Sequence, residues 1–349
     1  MQPYRCHARF ARALAAFGLA AIGAMAAVSA PAQTPDWPTK AITFVVPFPA
    51  GGSNDVAARA AAEGARSRLG QSVVIDNKPG ANGSLGVEAV LRAPKDHHTF
   101  LIASDSVSLL PLFRATTWDL SKTFIPVTLL SIQPMVLVTG VNSGLKNIQD
   151  VQTAARAKPN QLPYATSGQG SLQHLVGELM ALNLGIDLLH VPYKGGGQAV
   201  NDVVSGQVSL GMLGAAAVLP HIKSGRLVAL AVTTRQRSAM LPGVPTLAES
   251  GAGDIDVPQW SAMFALGGTP AATLSRLKRD VDDALADPKV KQQFMTLGME
   301  TVATTPEAFA QRMVQDRERW ARLIKDTKFR SSEHAAHTTT STEHRARAG

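Results

Sequence analysis

Short β-branched and aliphatic runs alternate with helical stretches along most of this chain, and the alternation stops once and begins again. A strand followed by a helix returns to its own sheet by a crossover, so this rhythm confines the chain to α/β architectures. Residues 41–46 read as a strand, 54–69 as a helix stopped by Gly70, 72–76 as a strand, 84–92 as a helix and 99–103 as a strand. After 124–130 and a strand at 135–139 the pattern restarts, with helices at 148–157, 172–184 (stopped by Gly185) and 198–205, and strands at 162–166, 188–191, 208–213 and 227–233. A strand at 263–266, a helix at 271–286 and a last helix at 306–325 close it, with Thr305 as N-cap and Pro306 at the first helical position. Phe309, Met313, Trp320, Leu323 and Ile324 share one stripe of that helix, the pattern of a core face.

This rhythm predicts parallel strands in two doubly wound α/β units, the second nested in the first, with chain crossings near 130–140 and 233–245. The units expected are 33–135 with 236–330, and 136–235. The length of 349 residues suits two domains and a core that needs no disulfide.

The formal charge of +8 is partly an N-terminal feature. Arg5, Arg9 and Arg12 precede an apolar run over 13–28, and Ala30-Pro31-Ala32 gives the small-x-small pattern of a cleavage site. Residues 1–32 are therefore expected to be a signal peptide for export to a periplasm. Their removal leaves 31 basic side chains against 26 acidic, a net charge of +5, and takes away Cys6, the single cysteine. A thiol nucleophile and a Cys-ligated metal are excluded from the mature chain. No basic stripe interleaved with aromatics is present, so nucleic acid is not expected as a partner. Residues 331–349, rich in Ser, Thr and His, are expected to be a disordered tail.

Three predicted strand-to-helix turns are filled with Gly and small hydroxyl residues, at 47–55, 166–171 and 193–197. Gly permits close backbone approach, and the first turn of the following helix leaves N–H groups unpaired at the positive end of its dipole. Such turns receive anions, carboxylate as well as phosphate. Each also serves as an ordinary tight turn, with Ser53 as a cap and Asp55 complementing the dipole. His174 falls in the first turn after Ser171, placed either to contact an anion or to cap. The phosphate-loop, nucleophile-elbow and zinc-protease motifs are absent, and Gln173 stands where a dinucleotide fingerprint needs its third Gly.

These same turns carry a family resemblance. Val46-Pro-Phe-Pro-x-Gly-Gly-Ser-x-Asp55, Leu69-Gly-Gln-x-Val-Val74, Asn77-Lys-Pro-Gly-Ala81, Tyr164-Ala-Thr-Ser-Gly-x-Gly-Ser-x-x-His-Leu175, His190-Val-Pro-Tyr-Lys-Gly195 and Leu241-Pro-x-Val-Pro-Thr-Leu-Ala-Glu-Ser-Gly251 resemble the extracytoplasmic solute receptors of tripartite tricarboxylate transporters, often called Bug receptors. The resemblance spans about residues 37–329. It implies a type II periplasmic-binding-protein fold, two α/β lobes closing on a small organic carboxylate, without catalysis, cofactor or metal. It further implies a monomer that delivers its ligand to membrane permease subunits or a sensor kinase.

The expected ligand-binding residues are Phe48, Ala50, Gly51, Gly52, Ser53, Asn54 and Asp55 in the first loop, Ser104 after the third strand, Thr166, Ser167, Gly168, Gln169, Gly170 and Ser171 in the second loop, then His174 and Leu213. Family members usually carry a polar cleft-facing residue where Leu213 stands. If 213–217 lines the cleft, its wall is apolar and the ligand has an uncharged body, unlike glutamate or aspartate. The other arrangement packs this segment inside the lobe and draws acceptors from Asp105 or Gln133. Two further readings stand beside the receptor. One is a periplasmic enzyme acting on a carboxylic acid, using Ser53, Ser167 or Ser171 as nucleophile with His174 as base, the other an interaction module without solute.

Overall fold

The computed structural model describes residues 37–326, so the leader expected at 1–32 and the tail expected at 331–349 lie outside the described residues. From Lys40 onward the chain forms one unit. It begins β1 (Ile42–Val46), α1 (Ser53–Leu69), β2 (Val73–Asn77), α2 (Ser84–Leu91), β3 (Thr99–Ser104), then two short helices, α3 (Asp105–Leu109) and α4 (Leu120–Thr123). A strand of 17 residues, β4 (Phe124–Gly140), leads to α5 (Ile148–Ala157), β5 (Pro163–Thr166), α6 (Leu172–Leu184), β6 (Leu189–Pro192), α7 (Gly196–Val204), β7 (Leu210–Gly214), α8 (Ala215–Lys223) and β8 (Leu227–Val232). The chain ends with β9 (Pro258–Leu266), α9 (Ala271–Ala286), α10 (Pro288–Thr296), β10 (Glu300–Thr301) and α11 (Pro306–Asp326). Among the described residues no helix is long and apolar enough to cross a membrane.

Local chemistry sets these boundaries. Gly70 ends α1 in a left-handed conformation (φ 66°) and donates its N–H to Arg66 O, while Gly185 ends α6 in the same way (φ 61°). Asn147 and Ser171 cap α5 and α6 by accepting the N–H groups of Asp150 and His174. Thr305 Oγ1 accepts from Ala308 N ahead of Pro306, as the sequence predicts. Beyond its first three residues the buried face of α1 is alanine but for Leu69, and at Gly64 a Cβ would lie 2.9 Å from Val290 Cγ2, so α1 and α10 pack at close range.

The sheet order is β2-β1-β3-β9-β4-β7-β5-β6, with β8 and β10 also on β4. It divides into two repeats of one plan, β2-β1-β3-β9-β4 and β6-β5-β7-β4-β8, each with a parallel trio. In each repeat the trio meets an antiparallel strand that arrives from the other. The expected parallel strands form each trio, while the crossing strands enter from the opposite side and run against their neighbours. Residues 124–134 of β4 pair with β9, whereas 135–140 pair with β7 and β8. One strand thus serves both halves, where the sequence suggests two separate runs.

Thr233 stitches the two crossings together. Its N–H donates to Met135 O, its Oγ1 donates to Val257 O and accepts from Met135 N, and its carbonyl accepts from Val257 N. The second crossing comes at Val257–Pro258, later than the sequence suggests. Leu247, Ala252, Ile255 and Val257 share a core with Leu137, Val151 and Tyr164, so 236–257 packs with the second repeat and not with the first. Helix α11 reaches both cores, with Phe309 and Met313 beside Trp260 and Phe264, and Trp320 and Ile324 beside Leu137.

Candidate functional site

The carboxyl ends of the parallel strands in both repeats converge on one pocket, the position at which α/β sheets bind ligands. It is lined by Phe48, Gly52, Ser53 and Asn54 after β1, Ser104 and Ser106 at β3, Ser167 and Gln173 after β5, Gly196 after β6, Gly214 and Ala217 after β7, and Gln259 on β9. Between these groups lies about 20 Å³ that admits the centre of a water molecule. The mouth is shut by backbone against backbone. A Cβ on Gly197 would stand 3.0 Å from Ala50 O, and one on Gly195 would overlap Pro49. Only glycines let the two loops meet so closely.

The pocket is built of donors. Helices α1, α7 and α8 present their N-termini through Gly52, Gly195 and Gly214, none of which caps with a side chain of its own, although in α8 Gln133 Oε1 takes the Ala216 N–H. Three lining amides have their oxygens already engaged. Gln173 Oε1 accepts from Ser167 N at 2.8 Å, Asn54 Oδ1 accepts from Ser261 Oγ, and Gln259 Oε1 accepts from Gln133 Nε2 at 3.5 Å. Each oxygen is thus partly engaged, while the NH2 groups keep both of their donors. Ser104 Oγ is fully buried in the pocket wall without a hydrogen-bond partner, an omission that typically costs about 1–3 kcal/mol. None of the twelve lining residues is ionisable.

The remaining expected residues hold the loops from behind. Asp55 Oδ2 accepts from Gly51 N and Arg59 Nε, both at 3.0 Å, and its Oδ1 accepts from Asn77 Nδ2, which also donates to Phe48 O. Burial opposes the charge on Asp55, but these hydrogen bonds prevail and keep its carboxyl below the usual range. Gly51 takes a left-handed φ of 81° to complete this turn, and with Ala50 it forms the exposed outer lip.

In the second loop most backbone donors are taken internally. Gly168 N donates to Thr166 Oγ1, Gly170 N to His174 Nδ1, Ser171 N to Gly168 O, and Leu172 N to Ser106 Oγ. His174 thereby braces the loop, its Nδ1 accepting from Gly170 N. It stacks on His190 with ring centroids 3.7 Å apart, and burial, aided by His190, lowers its pKa to about 2, so it stays neutral. His190 is held by Thr166 Oγ1 at 2.7 Å and Gln169 Oε1 at 3.1 Å, and burial lowers its pKa to about 4.

Of the sixteen residues predicted from sequence, Phe48, Gly52, Ser53, Asn54, Ser104 and Ser167 line the pocket. Ala50, Gly51, Asp55, Thr166, Gly168, Gln169, Gly170, Ser171 and His174 shape its loops. Leu213 is a correction: it is fully buried among Val136, Val203 and Val218, because strand alternation turns it away while Gly214, next in line, reaches the pocket. Asp105, the alternative acceptor, is also committed: its oxygens accept from Ser106 N, Ser106 Oγ and Trp260 N, and burial raises its pKa to about 7. Ser106, Gln173, Gly196, Gly214, Ala217 and Gln259 complete the lining. Gly196 belongs to a turn visible in the sequence, whereas Gln259 is marked only as one of two polar residues, with Ser261, in a largely apolar strand.

Comparison with known proteins decides the family. Residues 57–329 match the model of the tripartite tricarboxylate transporter family receptor. This chain belongs to that receptor family. Bug protein BugT of Bordetella pertussis is 35% identical over 315 residues, 88% of this chain and 97% of the relative. Among receptors of known structure, Rpa4515 of R. palustris, solved with adipate, is 30% identical with a TM-score of 0.80, covering 83% of this chain and 98% of its own. MatC of Rhodopseudomonas palustris, solved with bound malate, is 28% identical with a TM-score of 0.78, covering 82% and 100%. The fold is accordingly the two-lobed α/β fold of periplasmic binding proteins.

Proposed function

We propose that this receptor captures a small organic carboxylate between its lobes, outside the cytoplasmic membrane, and hands it to permease subunits or a sensor. The observation that carries the reading is the composition of the pocket: three helix N-termini, three amide NH2 groups and an unpartnered serine hydroxyl, with no ionisable side chain among the lining residues. Several such donors converging on a desolvated site stabilise a negative charge without adding a competing one. The adipate and malate seen in two relatives support the same class.

The ligand-binding residues on this reading are Phe48, Gly52, Ser53, Asn54, Ser104 and Ser167, joined by Ser106, Gln173, Gly214 and Gln259. The lobes are residues 40–134 with 258–305, and 135–257, with the hinge at Thr233. A space that admits about one water must widen to admit an acid, so the lobes part for entry and close on the ligand. Binding rather than hydrolysis is favoured because no histidine or carboxylate lines the pocket beside its serines. The charged N-terminal segment and apolar run fit export, and the helices described carry no membrane span.

The test is a thermal-melt panel of mono- and dicarboxylates, amines and sugars on the mature protein, together with mass spectrometry of any small molecule that copurifies. A ligand at 100 times its Kd adds about 2.7 kcal/mol, which raises the midpoint by a few degrees. A shift with amines or sugars and with no carboxylate refutes the reading.

A further inference from the structure

The polarity of one pocket residue is fixed from outside the pocket. Gln133 and Gln259 stand opposite one another in the β4–β9 ladder, one position before the point where β4 changes repeats. Both are nearly fully buried. Ala216 N, in the first turn of α8, points at Gln133 from the other repeat at 2.8 Å. A backbone N–H can only donate, so the end of Gln133 that meets it is the oxygen. The NH2 end then faces Gln259 and can only donate, which draws Gln259 Oε1 toward it and leaves Gln259 Nε2 for the pocket. Gly214 leaves room for the pair: a Cβ there would lie 2.6 Å from Gln259 Oε1 and 3.2 Å from Gln133 Nε2.

We propose that Gln259, oriented by Gln133, is a specificity-determining residue: it offers the ligand's body a donor and no acceptor, so the site takes acids whose second polar group is an oxygen and rejects those carrying an ammonium. The proposal rests on the carboxylate reading and narrows it. An ammonium brought into this pocket would meet helix N-termini and amide donors, with serine hydroxyls to accept from it but no lining carboxylate to neutralise it, and a desolvated charge left unneutralised is costly. The two buried acids nearby in sequence are spent elsewhere, Asp55 on Gly51, Arg59 and Asn77, and Asp105 on Ser106 and Trp260.

Gln133 acts as a positioning residue, so its substitution tests the idea without altering the ligand's own contact. Gln133→Glu keeps the acceptor for Ala216 N but loses the donor, and Gln259 must turn over, giving its NH2 to residue 133 and its oxygen to the pocket. Gln133→Leu adds no charge and lets the Gln259 amide turn either way. The experiment is titration calorimetry of the mature protein and both variants with matched pairs, succinate against aspartate and glutarate against glutamate.

The wild type should prefer a diacid over its 2-amino partner by at least about ten-fold, the scale of one hydrogen bond to a charged group. That preference should shrink to within about three-fold in Gln133→Leu and reverse in Gln133→Glu. A wild type that binds the amino acid as tightly as the diacid overturns the proposal and leaves the receptor reading intact, as does an unchanged ratio in Gln133→Leu. Should Gln133→Leu not fold, Gln259→Met serves in its place, and a diacid affinity unchanged in it overturns the proposal. A wild type that binds no carboxylate in the wider panel removes the receptor reading, and this proposal with it.

Discussion

Gly214→Ala adds one methyl group where the two repeats meet. The new carbon would overlap Ser53 Oγ and lie 2.6 Å from Gln259 Oε1, well inside ordinary van der Waals contact. Ser53 can rotate away, but Gln259 is held by Gln133, which is itself held by Ala216 N. Overpacking of this kind costs about 1–3 kcal/mol, and here it falls on the closed arrangement, in which Ser53 of one repeat meets Gly214 of the other. The backbone at residue 214 (φ −66°, ψ 141°) is open to any amino acid, so no strain falls on the chain itself. Replacing glycine also narrows the unfolded ensemble, worth about 0.4–1 kcal/mol in favour of folding. The variant should therefore melt at or slightly above the wild-type temperature without ligand, yet bind its carboxylate about 5- to 150-fold more weakly. Titration calorimetry gives the affinity, and small-angle scattering with saturating ligand should show a larger radius of gyration than the wild type. Unchanged affinity, or a lowered ligand-free melt, would refute the reasoning.

Two further outcomes follow from the polar groups around the pocket. Ser104→Ala removes a buried hydroxyl that has no partner, so ligand-free stability should hold or rise slightly while ligand affinity falls about 3- to 10-fold, read from melts with and without ligand. His190 is neutral when folded, because burial lowers its pKa from 6.5 to about 4, and the unfolded chain takes up its proton first as pH falls below 6.5. That residue should therefore cost about 2 kcal/mol of stability between pH 7 and pH 5, a loss that His190→Gln escapes. Asp105 and Glu178, whose pKa values are raised chiefly by burial, act in the opposite sense, so urea melts of the variant must be compared with wild type at each pH. Equal losses in the two proteins would show that His190 is not held neutral.

The helices were legible wherever a periodic face coincided with a cap and a stop. α5, α6 and α9 fall on the residues that Asn147, Ser171, Gly185 and Pro270 bracket in the sequence. Strand β4 was not legible as one element, because Gln133-Pro134 looks like a break when the strand's change of partners is not yet known. The antiparallel centre was hidden for the same reason: direction is set by where the chain goes next, not by local pattern. At the pocket, the glycine turns were visible because a backbone conformation or a close approach required them. Gln259 and Ser106 carry no such mark, since their roles depend on Gln133 and Leu172, each distant in sequence from the residue it meets. Leu213 was misplaced by one residue, which in a strand is the difference between the two faces.

The exchange of crossing strands bears on how the protein is made. β3 finds its ladder partner in β9, and β9 is not synthesised until almost everything between them has emerged. Until then the edges of β3 and β4 stay open, and the first three strands cannot be sealed into a finished sheet by anything made earlier. The amino-terminal strands of a nascent chain therefore gain this ladder partner only late in synthesis. Closure of the first sheet thus waits on the one strand that returns to it from the second repeat.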